Sequence, residues 1–309
     1  MTRHLLDLED LGSGGISAVL DLCGPERGDA LAGSSVAMVF EKPSARTRNS
    51  TEMAVVDLSG HPVMITDAEV GIDRRETAED VARTLGCYHQ IIAARVNDHG
   101  VLVRMSEALD AQGAGVSVVN LLSDYSHPCQ GLADALTMRD EFGGSLVGRT
   151  VAYVGDANNV TISLAQVALT MGMDVRIAAP IGYQLDVETL EGLRQFAGAT
   201  GATLAQLTDP QEAASGADVL YADVWTSMGQ EAERATRLED LAGYSIDLEL
   251  LARASKDAII LHCLPAHRGE EITAEALESP QSRIWSQAAH RRTAMRGVFR
   301  WVRGEGEES

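Results

Sequence analysis

Lysine is nearly absent from this chain of 309 residues, since only Lys42 and Lys256 occur among its 25 lysines and arginines. Acidic residues number 45, which gives a formal net charge of −20 at pH 7. So acidic a chain repels polyanions, which argues against nucleic acid and anionic membranes as partners. The scarcity of lysine fits a GC-rich genome, which we favour, or an acidic surface adapted to high salt.

The sequence also lacks long apolar runs. Its apolar runs, such as residues 258–261, are far shorter than the roughly 20 residues that a membrane-spanning helix needs. The first residues show no apolar run with a basic flank, which is the pattern of a secretory signal peptide. We therefore expect a soluble protein located in the cytoplasm.

The sequence also lacks closely spaced cysteine pairs. The four cysteines, Cys23, Cys87, Cys129 and Cys263, form no CxxC pair. This pattern argues against a zinc ribbon or a redox pair and predicts free thiols in a reducing compartment. Hydrophobic residues still make up 45% of the chain, which is enough for two domain cores of ordinary size.

Short apolar runs alternate with helical patterns along the chain. Strands are predicted at 36–40, 62–66, 91–96, 116–121, 150–154, 175–179, 219–221, 258–261 and 283–285. Helices are predicted within 1–30, at 49–58, from Thr77 onward, and at 102–109, 129–142, 159–171, 186–198, 247–254 and 287–302. Strands separated by helices form βαβ units, whose parallel sheet is covered on both faces. We predict an α/β fold with two doubly wound parallel-sheet domains joined by interdomain helices.

The long helical pattern before Gly143-Gly144 marks the crossing between the two domains. The first domain is predicted over 1–135, completed by the C-terminal helix 287–303, and the second over 148–286. In parallel α/β sheets, ligands bind beyond the carboxyl ends of the strands. The polar motifs described next all follow a predicted strand.

The stretch Ser44-Ala45-Arg46-Thr47-Arg48 lies where the first predicted strand is followed by a helix. Unpaired N–H groups at a helix N-terminus attract anions, and arginine adds planar donors that suit phosphate oxygens. We interpret the stretch as a phosphate site. Taken alone, it equally fits a helix capped by Ser44 with solvated arginines.

Two more motifs belong to the first half of the chain. Arg95 ends an apolar run, where its guanidinium must reach an anion or extend to solvent. His127 and Gln130 lie at the start of the crossing helix, because Pro128 suits a first helical turn. His127 could donate a hydrogen bond to a carbonyl oxygen or act only as a helix cap.

Polar residues follow the strands of the second half as well. Residues 155–159 form a strand–turn–helix corner without GxGxxG or a well-placed acid after the next strand, which argues against NAD. Asp223 can pair with an ammonium group, and residues 227–229 are small enough to close over a ligand. Cys263 suits a nucleophile or a thiol that shapes a pocket. The run 262–268 lacks the ligand spacing of a zinc site, so we predict no metal and no cofactor.

These motifs, in this order, resemble the aspartate/ornithine transcarbamoylase superfamily, and specifically its ornithine carbamoyltransferases. The matching runs are Phe40-Glu41-Lys42-Pro43-Ser44-Ala45-Arg46-Thr47-Arg48, His127-Pro128-Cys129-Gln130-Gly131-Leu132-Ala133-Asp134, Asp223 to Glu231, and His262 to Arg268. They are similar, in turn, to the carbamoyl-phosphate motif, the second phosphate-side motif, the ornithine-binding loop and the HCLP motif. The resemblance extends over nearly the whole chain.

The resemblance implies transfer of a carbamoyl group from carbamoyl phosphate to the δ-amine of L-ornithine in a cleft between the domains. The products would be citrulline and phosphate, in arginine biosynthesis or in arginine breakdown. The resemblance also implies a homotrimer. Three alternatives stay open: another amine substrate, such as N-acylated ornithine or putrescine; a non-catalytic homologue; and a covalent mechanism through the cysteine of the HCLP motif.

The resemblance assigns roles to residues by motif. Residues expected to contact carbamoyl phosphate are Ser44, Ala45, Arg46, Thr47, Arg95, His127, Gln130, Cys263, Leu264 and Arg291. Residues expected to bind ornithine are Asn159, Asp223, Ser227 and Met228. The expected catalytic set is Arg95, His127, Asp223, Cys263 and Arg291, in which Asp223 and Cys263 would steer the attacking amine.

The chain departs from the family pattern at two places. Ala45 stands where the family usually has threonine, so we expect one hydroxyl contact to be lost while the backbone N–H remains. The run Ala288-Ala289-His290-Arg291 replaces the usual Ala-Glu-Asn-Arg, so the neighbours of Arg291 differ. In addition, residues 71–77 match only loosely the loop that in this family reaches a neighbouring subunit.

Overall fold

The computed structural model describes residues 2–24, 27–198, 200–226 and 231–306. The chain divides into two units. Unit 1 comprises Met1–Ala133 and Ala289–Ser309, and unit 2 comprises Asp134–Ala288. The predicted ligand-binding residues Ser227 and Met228 lie outside the described residues. Among the described helices, none has the length and apolar character needed to cross a membrane.

Unit 1 contains four strands, numbered here in chain order. They are β1 (Ser35–Phe40), β2 (His61–Thr66), β3 (Ile91–Arg95) and β4 (Ser117–Leu122). All pair in parallel, in the order β2–β1–β3–β4. The helices are a 3-10 helix (Leu8–Leu11), α1 (Gly12–Asp21), α2 (Ala45–Asp57), α3 (Asp67–Val70), α4 (Ala78–Gly86) and α5 (His99–Gln112). Parts of α6 (Pro128–Glu141) and α13 (Ile284–Val302) complete the unit.

Unit 2 contains a five-stranded parallel sheet. Its strands are β5 (Thr150–Val154), β6 (Asp174–Ala178), β7 (Leu204–Leu207), β8 (Val219–Ala222) and β9 (Ile259–His262). The strand order is β7–β6–β5–β8–β9. The helices are α7 (Asn159–Thr170), α8 (Val187–Phe196), α9 (Pro210–Ala214), a 3-10 helix (Glu231–Glu233), α10 (Arg234–Asp240), α11 (Leu248–Leu251) and α12 (Ala274–Leu277), with the remaining parts of α6 and α13.

The predicted α/β class with two parallel sheets is confirmed. Strands β3, β5, β8 and β9 are buried at every position. Helices on both faces of a parallel sheet bury its strands completely, which is why these strands read as continuous apolar runs in the sequence. The strand predicted at 283–285 is wrong, since Ile284 begins the long helix α13. The edge strand β7 was not predicted.

The C-terminal part of α13 packs tightly on α1 within unit 1. A Cβ atom at Gly297 would lie 2.5 Å from the carbonyl oxygen of Val19, so no side chain fits at this position. Arg300 extends the contact, because its Nη1 donates a hydrogen bond to the carbonyl oxygen of Leu22 at 2.6 Å. The last helix of the chain is thus built into the first unit.

Candidate active site

The register of the unit 1 sheet brings two predicted phosphate-binding segments to one edge. Phe40, the last residue of β1, pairs with Arg95, the last residue of β3. The pairing of β3 with β4 shifts at this point, so that Arg95 lies opposite Leu122. Because the strands are parallel, their carboxyl ends meet at one edge of the sheet, where ligands bind in folds of this type.

Helix α2 begins directly after Ser44 at this edge. The Ser44 hydroxyl caps the helix by accepting a hydrogen bond from the Thr47 N–H at 3.4 Å. Arg46 is exposed in the first turn, and Arg48 is paired with Glu52 at 2.8 Å. The two interpretations of this stretch are therefore compatible, since the cap leaves the Arg46 guanidinium available to an anion.

Arg291 links residues from three helices of unit 1. Its Nη1 donates a hydrogen bond to Gln130 Oε1 on α6, and its Nη2 donates to Thr47 Oγ1 on α2 at 3.4 Å. All three side chains are buried. The altered neighbours of Arg291 thus do not prevent its contact with two other predicted site residues.

Arg95 is a buried cation close to other cations. It is only 9% exposed, and within the described part of the chain its Nε has no hydrogen-bond partner. Burial, followed by the charges of Arg291 and Arg46, lowers the pKa of the Arg95 guanidinium to about 10. The group is still charged at neutral pH. Because like charges raise one another's energy, an anion bound among these three arginines would be stabilised.

His127 lies at the start of α6 and is also buried. Burial, followed by the charges of Arg291 and Arg95, lowers the pKa of the imidazole well below its usual range. The ring is therefore neutral at pH 7 and keeps one N–H donor. Burial likewise raises the pKa of the neighbouring Cys129 thiol to about 12, which leaves that thiol protonated and unreactive.

Asp223 and Cys263 come together at the corresponding edge of the unit 2 sheet. Ala222, the last residue of β8, pairs with His262, the last residue of β9, so the next residues leave adjacent strands at the same level. The Cys263 thiol donates a hydrogen bond to Asp223 Oδ1 at 2.8 Å. The Asn158 amide donates to Asp223 Oδ2 at 2.9 Å. The Val224 N–H also donates to Oδ1 at 2.8 Å, so the carboxylate has three neutral donors.

Asn158 was missed by the sequence analysis, which named its neighbour Asn159. The Asn158 side-chain oxygen caps α7 by accepting from the Val160 N–H at 2.9 Å, and this orients its amide nitrogen toward Asp223. Asparagine directly before a helical pattern is a recognisable cap signal and could have pointed to this residue. Asn159 is the first residue of α7, and its role in ornithine binding stays a prediction.

Leu264 follows Cys263 in an uncommon backbone conformation. Its φ is +60°, in the left-handed region, and the following peptide bond to Pro265 is cis. The Leu264 N–H donates a hydrogen bond to Nδ1 of His262 at 2.9 Å. The His262 side chain, at the end of β9, therefore holds the backbone of the segment that follows the strand.

A buried polar cluster supports the same strands in unit 2. The Tyr221 hydroxyl donates to Asp134 Oδ2 at 3.0 Å, and the Gln287 amide donates to Asp134 Oδ1 at 2.7 Å. Gln287 Oε1 in turn accepts from the His262 N–H at 2.8 Å. Asp134 belongs to a predicted motif, but no sequence pattern points to its contacts with Tyr221 and Gln287, because these partners are distant along the chain.

Two sets of described side chains have ligand atoms close enough to hold a metal ion: Asp223, His262 and Cys263 in the first, and His267, Glu270 and Glu271 in the second. In the first set, both imidazole nitrogens of His262 are already engaged in hydrogen bonds. In the second, Glu270 is already paired with the guanidinium of Arg234. Metal binding at either place would have to break an existing interaction.

Two family models match the chain. The carbamoyl-phosphate-binding domain of aspartate/ornithine carbamoyltransferases matches residues 3–140, and their Asp/Orn-binding domain matches residues 147–302. Over 304 residues, the chain is 46% identical to the ornithine carbamoyltransferase of Thermus thermophilus, which covers 97% of this chain and 96% of that protein. The enzyme of Acidothermus cellulolyticus is 46% identical over 297 residues, covering 94% and 93%. The solved structure of ornithine carbamoyltransferase from Pyrococcus furiosus superposes with a TM-score of 0.90 at 39% identity, covering 96% of both chains.

Proposed function

Because the chain belongs to the aspartate/ornithine carbamoyltransferase family, we propose that it transfers the carbamoyl group of carbamoyl phosphate to the δ-amine of L-ornithine. The products are L-citrulline and phosphate. The observation that carries this proposal is the cluster of three arginines in unit 1, in which the buried Arg95 and Arg291 lie near the exposed Arg46. A small dianion such as carbamoyl phosphate relieves the repulsion within such a cluster.

The phosphate group binds at the start of α2 in this proposal. Ser44, Arg46, Thr47 and Arg95 donate to its oxygens, and the backbone N–H of Ala45 contributes at the positive end of the helix. The exposed Arg46 and the partnerless Nε of Arg95 support this assignment. Each charge-assisted hydrogen bond contributes about 1.5–3 kcal/mol.

The carbamoyl group is held by neutral and charged donors. His127, Arg95 and Thr47 donate to its carbonyl oxygen, on which negative charge develops during attack. The lowered pKa of His127 supports a neutral N–H donor rather than an acid. Gln130 and Arg291, already hydrogen-bonded to one another, orient the carbamoyl amide, and the main-chain carbonyl of Leu264 accepts from it.

Unit 2 binds ornithine in this proposal. Asp223, Asn159, Ser227 and Met228 contact its charged groups, and Asp223 and Cys263 steer the δ-amine. The amine must lose a proton before or during attack, and the departing phosphate accepts that proton. A C–N bond forms as the bond from the carbonyl carbon to the phosphate oxygen breaks. The hydrogen bond from Cys263 to Asp223 supports a thiol that positions the amine without forming a covalent bond.

Citrulline formation tests the proposal. Purified protein is supplied with carbamoyl phosphate and, in separate reactions, with L-ornithine, N-acetyl-L-ornithine or putrescine. We expect the highest kcat/KM with ornithine. A preference for either other amine would overturn the substrate assignment. Binding of carbamoyl phosphate without carbamoylation of any of the three amines would make the chain a non-catalytic homologue.

We further propose a cytoplasmic homotrimer without nucleic acid or membrane partners. The four cysteines are all free thiols, which suits a reducing compartment. Met53 and Val56 are large exposed apolar side chains on α2 of unit 1, which supports a subunit interface. Light scattering after gel filtration should give three times the 32.9 kDa chain mass. A mass equal to one chain would contradict the trimer.

A further inference from the structure

We propose that His262, held in one tautomer by Glu271, is a positioning residue for the main chain of Leu264. The inference rests on the proposed function, in which the Leu264 carbonyl accepts a hydrogen bond from the carbamoyl group. Both side chains belong to unit 2.

Glu271 is a carboxylate with no exposed side-chain surface. Its Oε1 accepts a hydrogen bond from Nε2 of His262 at 3.2 Å and another from the His267 N–H at 2.5 Å. Within the described residues, its Oε2 has no hydrogen-bond partner. A buried carboxylate is unfavourable unless donors surround it, so the contact with His262 is one that Glu271 needs.

The backbone of Leu264 settles which nitrogen of His262 carries the proton. A backbone N–H can only donate, and the Leu264 N–H lies 2.9 Å from Nδ1. Nδ1 is therefore the acceptor, and the proton of the neutral ring is on Nε2. That proton is the one donated to Glu271. The carboxylate and the backbone thus require the same tautomer of His262.

Leu264 needs such an anchor because its φ of +60° is disfavoured for a residue with a side chain. The hydrogen bond to Nδ1 fixes the peptide plane that enters Leu264, and this limits the directions open to its carbonyl. The other end of the arrangement is also fixed, since the His262 N–H donates to Gln287 and Gln287 donates to Asp134. The imidazole is thus a rigid brace between Glu271 and Leu264.

Two substitutions distinguish the hydrogen bond of His262 to the Leu264 backbone from its hydrogen bond to the buried Glu271 carboxylate. In His262→Asn, the amide oxygen occupies roughly the place of Nδ1 and can accept from the Leu264 N–H. In His262→Gln, the amide nitrogen occupies roughly the place of Nε2 and can donate to Glu271. Positioning predicts that H262N stays within about threefold of the wild-type kcat/KM for carbamoyl phosphate, whereas H262Q falls about tenfold, the effect of one lost hydrogen bond. If His262 only satisfied the buried carboxylate, the order would be reversed.

The tautomer itself can be measured in the unaltered protein. Imidazole 15N shifts of His262, assigned through bonds, should show a proton on Nε2 and none on Nδ1. A ring protonated at Nδ1 would overturn the proposal, and this outcome does not depend on whether either variant folds. The NMR measurement therefore keeps the inference open to refutation even if both substitutions abolish folding.

His267→Asn is the matched control. His267 donates to the same carboxylate through its backbone N–H, which the substitution leaves in place, and its Nδ1 lies 3.8 Å from Glu271 Oε2, beyond hydrogen-bond distance. We expect its kcat/KM to stay within about twofold of wild type. If the wild-type protein forms no citrulline, the proposed function fails and the NMR measurement still tests the brace. If wild type is active and H262Q equals or exceeds H262N, the brace fails and the function stands.

Discussion

The two sheets of this protein end in opposite electrostatic environments. At the edge of unit 1, burial and then the charges of neighbouring arginines lower the pKa of both His127 and Arg95. At the edge of unit 2, Asp223 accepts from the neutral donors Cys263, Asn158 and the Val224 N–H, and the nearby Asp156 is paired with Arg237. The parallel strands are alike in both units, so the difference lies in the few residues that follow each strand. Chemistry in this fold depends on those residues and not on the scaffold.

The two units also differ in how well their buried charged side chains are compensated. Asp223 is well supplied with hydrogen bonds, whereas the buried Arg95 lies near two other cations and finds no partner for its Nε among the residues that the structure describes. A buried cation of this kind opposes folding until an anion binds. Unit 1 should therefore gain more from its ligand than unit 2.

Arg95→Met should have the largest effect. It removes charge-assisted bonds that contribute about 1.5–3 kcal/mol each, so losing two would lower kcat/KM for carbamoyl phosphate by roughly 10²- to 10⁴-fold. Because the substitution also removes an uncompensated buried cation, we expect the free energy of unfolding without ligand to rise. Steady-state kinetics and urea unfolding measure the two effects.

Arg83→Met is the control for this change. Arg83 is exposed and paired only with Asp80 on the surface of α4. Exposed pairs contribute about 0–1 kcal/mol, so activity and stability should both stay near wild type. A parallel loss of stability and activity in Arg95→Met would mean that Arg95 supports the fold, and the contrast between the units would be lost.

Asp223→Asn should have the next largest effect, at the acidic edge. The amide keeps the shape of the side chain but removes the charge that attracts an ammonium group, so kcat/KM for ornithine should fall roughly 10- to 100-fold. Inhibition by inorganic phosphate should not change, because its proposed site is in unit 1. Asp209→Asn is the matched control, since asparagine caps α9 as well as aspartate does.

Cys263→Ser should lower kcat about tenfold and no further. A hydroxyl can still donate to Asp223 Oδ1, but its shorter bonds change the position of the donor. A covalent mechanism would instead lose nearly all turnover, because a serine hydroxyl is a far weaker nucleophile than a cysteine thiolate. Cys87→Ser, at an exposed thiol, should leave kcat unchanged. Complete inactivity of the Cys263 variant would refute the positioning role.

Acidification should destabilise the protein through His127. Its pKa is lowered in the folded state, so below about pH 6.5 the unfolded chain binds a proton that the folded chain does not. The contribution of His127 to the free energy of unfolding then falls by up to about 1.4 kcal/mol per pH unit as the pH drops toward the pKa of the folded state. When the free energy of unfolding is measured with urea between pH 7.5 and 5, it should fall less steeply with decreasing pH in His127→Gln than in wild type. An unchanged slope would contradict a buried neutral imidazole.

Ala45→Thr should have the smallest effect. Ala45 is the exposed first residue of α2, and threonine would restore the hydroxyl usual in the family. At this exposed position water competes for the phosphate, so we expect the added hydroxyl to contribute only about 0.5–1.5 kcal/mol and KM for carbamoyl phosphate to fall about threefold. Ala45→Val adds the same branched shape without the hydroxyl and should not lower KM. Equal effects of the two variants would mean that the hydroxyl makes no contact.

Sequence patterns were sufficient where burial dictates composition. Strand β5, covered on both faces, was predicted over its whole length because burial requires a continuous apolar run. The edge strand β7 is only half-buried along its length and contains no β-branched residue, so it left no such signal. At 283–285 a short apolar run was ambiguous, since a strand and the first turn of a buried helix look alike over three residues.

The functional motifs were visible for a different reason. Each motif is a contiguous run at the end of one strand, so its residue types appear together in the sequence. The supporting contacts are not contiguous. Gln287 and Asp134 are 153 residues apart, and the choice of Asn158 over Asn159 depends on the direction of one side chain. Such partners are determined by the tertiary fold and leave no local pattern.

The packing of Gly297 against Val19 has a consequence for the order of synthesis. Unit 1 is made of two segments, and the ribosome finishes the entire sequence of unit 2 before it reaches the second segment. Unit 2 can fold from one continuous stretch of nascent chain, whereas unit 1 must wait for the helix that covers α1. Arg291 is translated with that late segment. The mutually repelling arginines of unit 1 therefore come together only after the rest of the protein has been made.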